Sequence, residues 1–234
     1  MAIADRGIFV TGTDTGVGKS IVAASICAAL ASRGERVAAF KPAVSGLDES
    51  SDLWPPDHEL LAAAASAGQS ADEVAPYRFG AAVSPHLAAE MEGIEVEPDR
   101  LRSSAEAAAG RGDVLIVEGV GGLLVPLSPG YLVRDFAVDV GLPVLIAASP
   151  GLGTINHTLL SIEAVLAAGL SPVGVVITPW PAEPTELERS NRHTVAGLSG
   201  LEVSTLSVVL PDSLAEGGGS LPIETWLSEP VGRN

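Results

Sequence analysis

Six short runs, "GIFVTG", "RVAAFKP", "DVLIVEG", "LPVLIAAS", "PVGVVITP" and, more weakly, "VSTLSVVLP", constrain this chain most. Each is apolar at consecutive rather than alternate positions, so a strand made from it must be buried on both faces. A parallel sheet covered by helices on both sides meets that condition. Helical stretches are expected between the runs, at residues 19–33, 57–67, 98–110, 154–168 and 186–198. The β-α-β-α order predicts one α/β domain over residues 1–234, a doubly wound, mostly parallel sheet flanked by helices. No internal repeat, heptad pattern or linker divides it. Hydrophobic residues make up 47% of the chain and aromatics only 4%, so the core must come mainly from Ala, Val, Leu and Ile. A domain of this size buries roughly 70–75% of the surface its unfolded chain exposes. Residues 47–56, 182–186 and 214–221 read as loops.

With 13 basic against 29 acidic residues the net charge is -16. That charge repels polyanions and argues against nucleic acid or an anionic membrane as partner. An anionic ligand would have to be held by a few local cations and backbone N–H groups. Cys27, the one cysteine, lies in the apolar stretch "IVAASICAAL" and reads as a buried small hydrophobe, so a reducing cytoplasm is expected. No secretory leader is visible, and no window reaches about 18 consecutive apolar residues, so membrane spanning is not expected.

The first run ends in "GTDTGVGKS" and passes directly into a helical pattern. Glycines let the backbone turn N–H groups toward one point, and the helix N-terminus adds about half a positive charge there. Lys19 can reach terminal phosphates, and the Ser20 hydroxyl can ligate a Mg²⁺ shared with them. The usual phosphate-loop pattern calls for glycine at position 13, which is Thr13; the glycine present is Gly12, one residue earlier. The order of strand, turn, Lys-Ser and helix nonetheless holds.

Three further residues fall at places where a crevice is expected. Lys41 ends the second run, and strand carboxyl ends face the ligand in open parallel sheets. Taken alone, a lysine there also suits a solvated position. Glu118 ends the third run, where a carboxylate is costly to bury unless it binds a metal or pairs with Lys19 or Lys41. Asp57 opens a helix as either its N-cap or a metal ligand, with Asp52 a weaker candidate for the same duty. Gly119, Gly121 and Gly122 permit a close approach by a ligand or simply a tight turn.

The ordered pieces "GTDTGVGKS", "KPAVSG", Asp57 on its helix, "PYRFGAAVSPH", "VEGVGGLLVPL" and "LGTINHTLLSIEA" resemble the dethiobiotin synthetase family of the biotin pathway, from residue 12 to about 164. That family's phosphate loop carries the extra residue after its first glycine. The resemblance implies a P-loop NTPase fold, a homodimer with sites at its interface, and a cytoplasmic ligase. It implies joining of CO2 to 7,8-diaminononanoate with ATP and Mg²⁺, through a carbamate and a carbamic-phosphoric anhydride. It implies Lys19, Lys41 and Ser45 as catalytic residues, and Ser20, Asp57 and Glu118 as Mg²⁺ ligands. Thr13, Asp14, Thr15, Gly16, Val17, Gly18, Lys19, Ser20, Glu118, Gly121 and Gly122 would hold the nucleotide. Thr15, Lys41, Ser45, Val120 and Gly121 would meet the substrate, with Gly153, Thr154 and Asn156 serving the partner subunit's substrate carboxylate. A bland reading of Asn156 and His157 is hydrogen bonding at a helix start.

The resemblance weakens after the fifth run, where many members place an adenine-reading asparagine. This chain has Thr178 there, then Pro179 and Trp180, so base contacts would come from these, from Pro211 or from the loop after it, and other nucleoside triphosphates would be accepted. Ser190, Asn191 and Arg192 read as a solvated helix face that could otherwise serve the substrate carboxylate. His58 and His193 read as surface-helix residues. Ser84 to His86 reads as a helix start with Pro85 first, without assigned chemistry. Two rivals remain on the same fold: a partitioning or positioning regulatory ATPase, and a small-molecule kinase or glutamine-dependent amidase-ligase. The former commonly carries an extra early lysine where this chain has Thr13 and Asp14. A kinase would usually show an arginine-rich lid.

Overall fold

The structure, a computed structural model, describes residues 2–49 and 53–228, so Asp52 lies outside the described residues. Its strands are β1 (Gly7–Gly12), β2 (Val37–Phe40), β3 (Ala43–Val44), β4 (Tyr77–Arg78), β5 (Val114–Glu118), β6 (Pro126–Ser128), β7 (Tyr131–Leu132), β8 (Val144–Ala148), β9 (Pro172–Trp180) and β10 (Val203–Ser207). Its helices are α1 (Lys19–Ser32), α2 (Asp57–Ala64), α3 (Ala71–Val74), α4 (Pro85–Glu92), α5 (Pro98–Ala109), α6 (Val133–Val140), α7 (Thr154–Ala167), α8 (Glu186–Ser199), α9 (Leu214–Gly219) and α10 (Ile223–Leu227).

The six apolar runs supply the six strands of the main sheet, ordered β10-β9-β8-β1-β5-β2 and parallel throughout. Alternation across β1 shows how both faces are used. Phe9 joins the core that contains Phe136 and Val195, whereas Ile8 and Val10 join the core that contains α1 and Trp226. Successive connections from β1 run toward β2 and those from β8 run toward β10. The winding therefore reverses between β1 and β8, and that is where a doubly wound sheet opens a crevice at its carboxyl ends.

The expected helices all form, with ends within a few residues. Pro98 opens α5 at its first turn, and Thr185 and Glu188 close a reciprocal capping box on α8. Residues 214–221 are a correction: most of that stretch is α9 rather than a loop. Its glycines do not mark flexibility but close packing, since a Cβ on Gly218 would lie 2.0 Å from the Ser25 carbonyl oxygen of α1. Covering α1 on this side explains why α1 is apolar nearly all round. His58 is also corrected, being only 5% exposed. Leu60 and Leu61, buried beside it, draw that helix face inward.

Candidate active site

Parallel register brings the key charges together. Phe40 of β2 lies opposite Val117 of β5, so Lys41 and Glu118 are the next pair along, while Glu118 also lies beside Val10 of β1. Phe40 and Val117 point into one core, so their successors turn to the opposite face, where α1 begins with Lys19 and Ser20. Lys41 Nζ donates to Glu118 Oε1 at 2.5 Å and pairs with Asp57 Oδ2 at 2.8 Å. Ser20 Oγ donates to the same Glu118 oxygen at 2.8 Å. Asp57 is the first helical residue of α2, and Pro56, which has no side-chain acceptor, holds the cap position. The N-cap explanation of Asp57 is thereby replaced by an ion pair. The reading of Lys41 as solvated is corrected too, since it is 3% exposed and Glu118 is fully buried.

Burial opposes charge on all four ionisable groups; neighbours overcome it at Lys41 and Asp57 but not at Glu118 and Lys19. For Lys41, burial pulls the pKa down, but Glu118 and Asp57 outweigh it and the net shift is upward. For Glu118, burial dominates and raises the pKa against the pull of Lys41. Burial would also raise Asp57, yet Lys41 and the Ser20 hydroxyl hold it below the usual carboxylate value. Lys19 falls to about 8, mainly through burial, with Glu118 opposing and Lys41 adding repulsion.

A buried carboxylate oxygen without a partner is uncommon and asks for a ligand. Glu118 Oε2 is one. With the Ser20 hydroxyl and Asp57 it offers an all-oxygen donor set, the type a hard divalent cation such as Mg²⁺ takes. These residues therefore fit the cation in kind. Among the described residues no three His, Cys, Asp or Glu side chains gather as a metal cage. Such an ion would complete its shell with phosphate oxygens and water.

The phosphate loop owes its path to two glycines. A Cβ on Gly12 would lie 2.9 Å from the Lys19 stem, which crosses over it, and Gly18 takes φ 90 with the Thr178 methyl 2.7 Å from its own would-be Cβ. Lys19 Nζ donates to the Asp14 carbonyl at 2.8 Å, the Thr15 N–H donates to Asp14 Oδ1, and the Thr13 N–H donates to the end of β8. Val17 packs into the core rather than facing solvent.

A cavity of about 680 Å³ opens over these groups. Thr15, Gly16, Gly18, Lys19, Ser20, Lys41, Ser45, Asp57, Glu118, Val120 and Gly121 all line it. Gly122 lies behind, where its would-be Cβ is 3.4 Å from the Gly12 carbonyl. Thr178 is buried against Gly18, Pro179 and Pro211 are exposed, and Trp180 packs partly buried on the core that holds Val195; none of these four lines the cavity. Gly153, Thr154 and Asn156, at the start of α7, are likewise outside its lining. Glu49, Trp54, Val83 and Ser84 line it without having been singled out for chemistry. Of these, Val83 and Ser84 had a signal in sequence, inside "PYRFGAAVSPH". Asn191, expected on a solvated face, is 4% exposed and bonds back to the loop before α7.

A family model described as an AAA domain matches residues 6–209. An ATP-dependent dethiobiotin synthetase of Anaeromyxobacter dehalogenans is 41% identical over 88% of this chain and 92% of its own length. Its counterpart in Bacillus subtilis is 34% identical over 85% of each. A solved chain of the MinC:MinD cell division protein complex of Aquifex aeolicus covers 97% of this chain and 99% of its own, with TM-score 0.57 and 16% identity, a likeness of fold alone. Identity of this extent in sequence, together with the converging lysines, carboxylates and phosphate loop, shows that the chain belongs to the family of ATP-dependent dethiobiotin synthetases.

Proposed function

We propose that the chain makes the cyclic urea of dethiobiotin from 7,8-diaminononanoate and CO2, using ATP and Mg²⁺, as a cytoplasmic homodimer. One observation carries this reading: Lys19, Lys41 and Ser45 share one cavity with Ser20, Asp57 and Glu118. One amine of the substrate attacks CO2 and loses a proton, giving a carbamate. A carbamate oxygen then attacks the γ-phosphorus and ADP leaves, forming the carbamic-phosphoric anhydride. The second amine attacks the carbamyl carbon, phosphate leaves with the C–O pair, and loss of a proton closes the urea.

Each step concentrates negative charge on oxygen, and the residues match that need. Lys19 and Lys41 stabilise charge on the transferring phosphoryl group and the carbamate, where fixed cations in a water-poor site are most effective. Ser45 hydrogen-bonds the diamine or carbamate. Thr13, Asp14, Thr15, Gly16, Val17 and Gly18 form the turn around the phosphates. Ser20, Asp57 and Glu118 would hold Mg²⁺, which when bound supplies Lewis-acid neutralisation of the phosphate oxygens. No side-chain nucleophile is required.

Gly153, Thr154 and Asn156 receive the substrate carboxylate in the partner subunit, a reading supported by their lying outside the cavity of their own chain. Thr178 in place of a base-reading asparagine relaxes nucleotide choice, with Pro179, Trp180 and Pro211 offering apolar or backbone contacts. Titration with ATP, CTP and GTP should give comparable affinities; a strong preference for ATP alone contradicts the relaxed choice. For the reaction itself, ATP consumption should require both diaminononanoate and bicarbonate, with labelled carbon retained in dethiobiotin. Hydrolysis indifferent to the diamine would indicate a regulatory ATPase, and a phosphorylated product without labelled carbon would indicate a kinase.

A further inference from the structure

Asn191 is nearly inaccessible on α8, a helix whose other residues are mostly turned to solvent. Its Nδ2 donates to the Pro150 carbonyl at 2.9 Å and the Gly151 carbonyl at 3.1 Å. A side-chain amide nitrogen has two N–H donors, so both are committed to consecutive carbonyls of the loop between β8 and α7. In a trans peptide the C=O and the following N–H point in opposite directions. Fixing these two carbonyls toward α8 therefore turns the N–H groups of Gly151 and Leu152 away from it. Gly151, Leu152 and Gly153 are exposed there, Leu152 at 90%. Gly153, at φ 93, then leads into the 14-residue α7, whose first N–H, that of Thr154, donates to the Gly151 carbonyl at 3.3 Å and whose next ones follow the two that Asn191 orients.

We propose that Asn191 is a positioning residue for the carboxylate of the substrate, acting through this loop without touching the substrate. The proposal rests on the ligase reading, which brings that carboxylate to Gly153, Thr154 and Asn156. Glycine at 151 lets the peptide planes rotate, and the Thr154 N–H holds the Gly151 carbonyl from within the loop at 3.3 Å, so a tether from outside is what fixes the Pro150 carbonyl as well. Asn191 supplies it from the most buried polar position on α8.

The test compares wild type with Asn191→Ala and Asn191→Asp, on 7,8-diaminononanoate and on 7,8-diaminononane, which lacks the carboxylate. Loss of a charge-assisted interaction is worth ~10-fold or more. The KM for diaminononanoate should rise by about that factor in both variants, with kcat and the KM for ATP within about twofold of wild type. The diamine without a carboxylate should be handled alike by all three proteins. If either variant melts early, Asn191→Ser, which keeps a small donor, is measured in its place with the same expectation. An equal loss on both substrates, a shift in the KM for ATP, or an unchanged KM for diaminononanoate overturns the proposal. A wild-type protein that forms no dethiobiotin overturns instead the ligase reading, and the proposal with it.

Discussion

Replacing Lys41 with Met removes the ammonium that bridges Glu118 and Asp57 and leaves a fully buried carboxylate without its ion-pair partner, held by the Ser20 hydroxyl. Breaking a buried pair on one side typically costs about 3–5 kcal/mol. The Asp57 side chain is 43% exposed, so water screens its share and most of the loss belongs to Glu118. Glu118 already has a raised pKa, and without Lys41 it rises further. A group whose folded pKa exceeds its unfolded value contributes stability that is complete below the unfolded pKa and is lost as pH climbs through the folded one. The destabilisation of Lys41→Met should therefore be about 3 kcal/mol or more near pH 7.5 and should shrink markedly toward pH 5. Urea denaturation at both pH values measures it. Adding Glu118→Gln should restore much of the stability at pH 7.5 while leaving the protein inactive. A loss that is the same at both pH values, or that the second substitution fails to relieve, refutes the buried-pair account.

Gly218→Ala should destabilise by about 1–3 kcal/mol or more, because the added methyl meets the Ser25 carbonyl of α1, while Gly219→Ala, with open space around it, should cost little; thermal melts of the two compare them directly. Lys19 loses its proton near pH 8 in the free chain, so nucleotide affinity by calorimetry should fall as pH rises through about 8, and Lys19→Met should bind weakly with no such fall. The same lowered pKa makes the folded chain bind fewer protons than the unfolded one above pH 8. The contribution of Lys19 to stability should accordingly become more favourable as pH climbs toward the ordinary lysine value, a trend absent from Lys19→Met.

The central sheet was legible because strands buried on both faces cannot hide their composition: each of the six short Val- and Ile-rich runs became one of its strands, while the longer Ala-rich stretch "IVAASICAAL" became α1. Lys41 and Glu118 were legible as strand-end charges, and a pair of Glu118 with Lys19 or Lys41 stood beside metal binding, but the choice of Lys41 was not legible, since it depends on the register that sets Phe40 opposite Val117. Residues that deceive locally are those whose environment is made by distant chain. The Gly217–Gly219 stretch reads as a loop until α1 comes against it, His58 looks exposed until α2 docks, and Asn191 looks solvated until the Pro150 carbonyl arrives. The short helix α6 (Val133–Val140) went unseen for a related reason: its apolar residues Val133, Phe136, Ala137 and Val140 follow the helical period for barely two turns.

Passage of an oxygen from CO2 to phosphate is the most direct measure of the proposed chemistry. With oxygen-18-labelled CO2, diaminononanoate and unlabelled ATP, the released phosphate should carry one labelled oxygen for each dethiobiotin formed, read by mass or by the phosphorus-31 isotope shift. Phosphate free of label, alongside labelled dethiobiotin, contradicts attack of a carbamate oxygen on the γ-phosphorus.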